Sequence, residues 1–239
     1  MNPMPVWLSV TARVLLMILI PIFITLTNVR LLLTPTFPEI EYNLPGFPED
    51  PYGFSKADRL KWSKIAIDYL LNNEGIAFLG TLRFPEGETA PEESCQYYLD
   101  RDCNRLYNDR ELRHMRDVKN VTHNILNVWV GSGILCLLVI GLLYYFQEKA
   151  ALRAGLLSGA GLTGLLLLGI VAYLSLDFNM FFVQFHHVFF EGDSWQFLYT
   201  DTLIRLFPVR FWQDTFLFLG GSTILESILL ALWAWHGLR

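Results

Sequence analysis

Four long stretches almost without charge constrain this chain more than anything else in it: Val6–Leu33, Val121–Phe146, Ala154–Leu176 and Phe211–Trp235. A hydrocarbon core about 30 Å thick needs roughly 20 apolar residues as a helix, because lipid offers backbone amides and carbonyls no partner. Each stretch is long enough, and Val128–Phe146 and Gly155–Leu176 hold no ionised side chain. Only 17% of the 239 residues are charged against 53% hydrophobic, and the charge is concentrated at positions 39–119. A soluble domain carries about a quarter charged residues, and a disordered chain has far fewer apolar and aromatic ones. The expected fold class is therefore an all-α membrane protein: a four-transmembrane-helix bundle with an extracytoplasmic helical and loop cap. A net charge of −5 leaves no basic footprint for nucleic acid.

This divides the chain into a first span (1–33), a cap (34–119) and a three-span bundle (120–239) with an outer aromatic and histidine connection at 178–210. The first span lacks a basic flank and a small-residue cleavage site, so it reads as a retained anchor and not a signal peptide. Lys149 and Arg153 fill the short connection between spans two and three, and Arg13 and Arg239 flank the outer spans on the same side. The positive-inside rule then puts both termini in the cytoplasm and the 34–119 and 178–210 segments outside. Arg30 sits at the outer end of span one, where it either snorkels to headgroups or pairs with an anionic group. Gly161 and Gly164 in span three are expected at a close helix–helix approach.

Within the cap, five prolines between Pro35 and Pro51 predict an extended loop over 34–54. Ser55 with Asp58 predicts a helix start. Trp62, Ile65, Ala66, Tyr69 and Leu70 then form one apolar stripe, expected to dock on other elements, with a helix lying in the headgroup plane as the alternative. Residues 85–105 are acidic and loop-like, with Cys95 and Cys103 separated by seven intervening residues in a segment expected to face an oxidising compartment, so a disulfide is expected there. Cys136, inside span two, reads as an apolar filler. Asn108 with Glu111 resembles a capping box opening a helix from Asp109 that continues into span two. On that helix His114 and Asp117 share a face, so Asp117 is placed to orient the imidazole, whereas His123 lies half a turn away.

The connection after span three is crowded with aromatic residues, among them Phe185, Phe189 and Trp195, and carries His186, His187 and Asp193. An aromatic belt at the membrane surface explains the rings. It does not explain two adjacent histidines beside Gly192-Asp193-Ser194-Trp195, which an interfacial pocket with a few polar groups does. The residues alone leave both readings open. The sequence has no GxSxG, HxxxxD, HExxH or CxxC pattern, so neither a serine nucleophile, nor a metal, nor a cofactor is expected. Histidines and carboxylates at a membrane surface suit proton transfer on a lipid-linked substrate.

Three blocks carry a family resemblance: PYGFSKADRLKWSKIAIDYLL at 51–71, NDRELRHMRDVKNV at 108–121 and FVQFHHVFFEGDSWQFLYTDTLIRLFPVRFW at 182–212. With four spans at this spacing, the chain resembles the Lit-type bacterial membrane proteins, whose characterised members are lipoprotein intramolecular transacylases. The acidic stretch Glu86–Arg105 departs from that pattern and looks like an insert. The resemblance implies an enzyme of the bacterial plasma membrane acting at the outer leaflet on diacylated lipoproteins. It would move the sn-2 acyl chain from the diacylglyceryl group to the α-amine of the N-terminal Cys, giving the lyso form. It also implies that His114 and His186 are catalytic, with His187 at a variable position. The chemistry this implies makes His114, oriented by Asp117, the general base, with His186 donating to the oxyanion or protonating the glyceryl leaving oxygen; the reverse assignment is the alternative. Asp193 is placed to orient His186, although a turn or cap is the commoner use of an Asp beside Gly. Phe185, Phe189 and Trp195 would seat the acyl chains and headgroup. Two other functions compete: a non-enzymatic membrane scaffold or maturation accessory, and an acyltransferase acting between molecules.

Overall fold

The computed structural model of the chain describes residues 3–238, which leaves Arg239 outside the described residues. Among the described residues ten helices follow in order: α1 Val6–Leu32, α2 Thr36–Glu41, α3 Lys56–Leu71, α4 Ala77–Gly80, α5 Glu92–Cys95, α6 Asp109–Tyr145, α7 Lys149–Leu176, α8 Phe178–Phe189, α9 Thr202–Leu206 and α10 Val209–Gly237. The described residues hold no strand, only an isolated antiparallel bridge between Arg83 and Arg105. Four helices, α1, α6, α7 and α10, are long and apolar enough to cross a membrane. This is a multi-pass all-α membrane protein, as the four long apolar stretches require.

The chain divides into two compact units. One takes the chain up to Leu31, Ile125–Asp177 and the chain from Phe216 on, and holds most of the four long helices. Its core is Leu16, Ile20, Cys136, Val139, Leu143, Leu152 and Leu156. Outward-facing residues such as Leu137 (72% exposed) and Leu165 (69% exposed) present apolar surface of the kind that lipid solvates. The close approach in this unit falls on Gly155 and Gly159, not on Gly161 and Gly164. A methyl group at Gly159 would meet Ile20 Cβ at 2.7 Å, one at Gly155 would meet Leu16 Cβ at 3.1 Å, and at Gly161 nothing lies within 4 Å. The phase of α7 decides which small residues face α1, and composition alone does not reveal phase. Cys136 is buried and free, as a filler should be.

The other unit comprises Leu32–Asn124 and Phe178–Thr215. Its main core gathers Tyr69, Leu79, Leu106, Tyr107 and Leu206. Trp62, Ala66, Tyr69 and Leu70 of the α3 stripe are buried in it, and Ile65 packs at its edge. The α3 start is a full capping box: Ser55 Oγ accepts from Asp58 N–H at 3.2 Å, and Asp58 accepts from Ser55 N–H at 3.0 Å. The expected extended loop over 34–54 is interrupted by α2. Pro38 lies in its first turn, where an amide has no acceptor within the helix and a proline is tolerated. Cys95 and Cys103 are disulfide-bonded, with Cα atoms 5.4 Å apart.

Candidate active site

The start of α6 sets one histidine. Asn108 Oδ1 accepts from the Arg110 and Glu111 amides, both at 3.0 Å, and Glu111 returns a bond to Asn108 N–H at 2.8 Å. Glu111 is fully buried and also accepts from Leu203 N–H at 2.7 Å, tying α6 to α9. Asp201 adds a second tie, accepting from Asn108 Nδ2 at 2.9 Å, Arg110 at 2.7 Å and Leu198 N–H at 2.8 Å. Ser94, one residue before the disulfide-bonded Cys95, donates to Thr200 at 2.9 Å. His114 follows one turn after this network, 8% exposed.

The second histidine is set by α8, which ends at Phe189; three residues on, Gly192 adopts φ +69, a left-handed turn that glycine enters freely. That turn brings Trp195 back to cover His186. The two rings lie 4.7 Å apart at 30°. The His114 and His186 rings are 6.2 Å apart at 26°. Phe190 and Phe197 wall His114, at 4.9 and 5.2 Å, and Phe182 lies 4.2 Å from His186. The imidazoles thus share one aromatic-lined pocket. Phe185 reaches His186 at 5.7 Å, and Phe189 packs on Phe185 at 5.0 Å. His187 is exposed and meets Trp195 edge-on at 5.4 Å.

His186 Nδ1 lies 2.7 Å from the Phe182 carbonyl oxygen. A carbonyl only accepts, so Nδ1 carries the proton, and in the neutral ring Nε2 keeps its lone pair. Burial pushes this imidazole below its ordinary value; the Phe182 carbonyl works against that shift and His187 adds to it. His114 Nδ1 and Trp195 Nε1 are buried without a hydrogen-bond partner.

Two expected supports do not reach the pair. No hydrogen bond joins Asp117 to His114. Asp193 is exposed in the Gly192 turn, and the Nδ1 it was to hold is bonded to Phe182 instead. Arg30 lies in the last turn of α1, in the other unit. The network through Asp201 and Arg110 gave no local sequence signal, because its partners lie about ninety residues apart. An open cleft of about 240 Å³ in the same unit, lined by Pro48, Tyr52, Arg59, Tyr199 and Arg205, contains neither histidine.

Comparison with known proteins gives consistent matches. The family model described as "Lipoprotein intramolecular transacylase Lit" matches residues 14–212. An uncharacterized protein of Aquifex aeolicus (strain VF5) is 30% identical over 217 residues, covering 90% of this chain and 89% of that protein. The in meso structure of the membrane integral lipoprotein intramolecular transacylase Lit from Bacillus cereus superimposes with a TM-score of 0.71 at 19% identity, over 96% of this chain and 95% of that one. A point-mutant structure of the same protein gives 0.65 at 18% identity, over 95% and 91%. These structures share the fold.

Proposed function

The chain belongs to the Lit family of lipoprotein intramolecular transacylases, and from that premise we propose that His114 and His186 together carry the acyl transfer, with His186 as the general base. The substrate is a diacylated bacterial lipoprotein. Its α-amine titrates near pH 8 in water, so at neutral pH it is mostly protonated and a poor nucleophile. The ammonium first loses one proton to solvent, and His186 Nε2 then takes a second from the nitrogen as it adds. The amine nitrogen adds to the sn-2 ester carbon, a nitrogen–carbon bond forms, and the carbonyl pair moves onto oxygen. His114 donates its ring N–H to that oxyanion. On collapse the carbon–oxygen bond to glycerol breaks, and the leaving oxygen takes the proton held by His186. The amide and a free glyceryl hydroxyl result: His186 returns to its neutral form, and the only proton released is the one the ammonium gave to solvent.

The observation that carries this reading is the 6.2 Å separation of two buried imidazoles, one with its Nδ1–H already engaged. Ester and amine belong to one molecule, so a pocket that holds them close supplies much of the rate through effective molarity. Phe185, Phe189 and Trp195 would line the acyl and headgroup region. We place the site at the outer leaflet, with both termini in the cytoplasm. Lys149 and Arg153 in the short connection favour that orientation, as does the Cys95–Cys103 disulfide, which suits an oxidising compartment.

A crossover experiment tests the intramolecular step. One diacylated lipopeptide carries deuterated acyl chains and another a nitrogen-15-labelled peptide, and the purified enzyme receives both. Only singly labelled lyso products are expected. Doubly labelled product would mean transfer between molecules and would overturn the assignment.

A further inference from the structure

We infer that the indole N–H of Trp195 is a second donor to the oxyanion, beside His114; this rests on the acyl-transfer reading above. Buried polar groups nearly always find a partner, and those that do not call for a reason. An indole nitrogen only donates. Trp195 is 9% exposed, and its Nε1 meets no acceptor in the protein. It belongs to a ring lying face-on to the proposed base at 4.7 Å. The other unpartnered nitrogen in this pocket is His114 Nδ1, on the second ring beside His186. Two unsatisfied nitrogens therefore flank the one imidazole that is fixed by a backbone bond.

The neighbourhood sharpens the point. Phe182, Phe185 and Phe190 also pack on His186. Where only a ring is needed, this pocket uses phenylalanine. Besides His114, position 195 is the one among these rings on His186 that brings a donor. As the amine adds, the carbonyl pair moves onto oxygen and full negative charge develops there. In a dry aromatic pocket each aligned donor then counts for more than in water. When the glyceryl oxygen leaves, the charge disappears and the indole is freed, so the bond strengthens only in the transition state.

The test compares wild type with Trp195→Phe and with benzothienylalanine incorporated at position 195, which keeps the bicyclic shape but replaces N–H by sulfur. Trp62→Phe is the control: Trp62 Nε1 is also unpartnered, but in the α3 core away from the histidines. Removing one oxyanion donor lowers the rate by about 10²–10³-fold. The expected result is a kcat loss of that order in both position-195 variants, with KM and melting temperature nearly unchanged, and near-wild-type turnover in Trp62→Phe. Near-wild-type kcat with benzothienylalanine, while His186→Ala is inactive, would overturn the inference and leave the two-histidine reading intact. Full activity in His114→Ala and His186→Ala would remove the reading itself.

Discussion

The imidazole of His186 is bonded through Nδ1 to the carbonyl of Phe182, one turn earlier on the same helix and 2.7 Å away. This backbone bond does what a carboxylate does in many acid–base sites: it fixes the tautomer and aims Nε2 outward. It brings no negative charge to the pocket. A carboxylate would hold the imidazole protonated, whereas a carbonyl in a buried aromatic setting leaves it neutral and able to take a proton.

The pH dependence follows from the direction of that shift. Burial places the His186 value below the ordinary imidazole range, about 6.5. Its neutral form therefore persists as pH falls through 6.5. The substrate amine still protonates below about pH 8. The logarithm of the rate should fall with slope one below pH 8, and steepen to two only below 6.5. Steepening at or above 6.5 in a rate profile with purified enzyme would contradict the burial argument.

Glu41 gives a stability prediction of the opposite sign. Burial first, and then the neighbouring Asp214 carboxylate, push its carboxyl up to about 7. The folded state therefore binds a proton that the unfolded chain, titrating at its ordinary 4.5, releases earlier. That stabilisation is complete below pH 4.5 and is lost as pH rises through about 7. Between pH 5.5 and about 7 roughly 2 kcal/mol is lost, about 1.4 per pH unit, so the melting temperature should fall by about 4–8 °C by pH 8 in a chain of this size. Glu41→Gln should flatten the dependence, and an unchanged slope in that variant would assign it elsewhere.

Asp201 supports the site from a distance. Its side chain is fully buried and serves Asn108, Arg110 and Leu198 at once. Asp201→Ala leaves Arg110 and two further donors unpaired and should cost about 3–5 kcal/mol. Asp201→Asn keeps an acceptor for the Leu198 amide and should cost less. Thermal denaturation in detergent reads both; equal stability of Asp201→Ala and wild type would refute the network.

What was legible in the sequence was local. Ser55 with Asp58, and Asn108 with Glu111, mark helix starts because capping is a contact between residues three apart. The four spans were legible because lipid demands uncharged length. The long-range ties were not, since nothing in the local pattern around Asn108 points to Asp201. Helix phase was lost too, and this misplaced the close approach onto Gly161 and Gly164. Asp117 and Asp193 were named because carboxylates often orient histidines; a backbone carbonyl leaves no mark in a sequence. The His114–His186 pairing came from family blocks and not from periodicity, because the two lie on different helices.

Helix phase can be tested directly. Gly159→Ala drives a methyl onto Ile20 and should cost about 1–3 kcal/mol. Gly161→Ala meets open space and should be neutral or stabilise by about 0.5–1 kcal/mol, since alanine favours helix over glycine. Equal melting temperatures for the two variants would contradict the α1–α7 packing.

The most direct test of the two-histidine assignment is mass spectrometry of lipoprotein N-termini from a bacterium that makes only the diacylglyceryl form. The strain would express wild type, His114→Ala or His186→Ala, each verified in the membrane fraction. Conversion to N-acyl, monoacylglyceryl termini by wild type and by neither variant is the expected result. Full conversion by either variant would contradict its place in the mechanism.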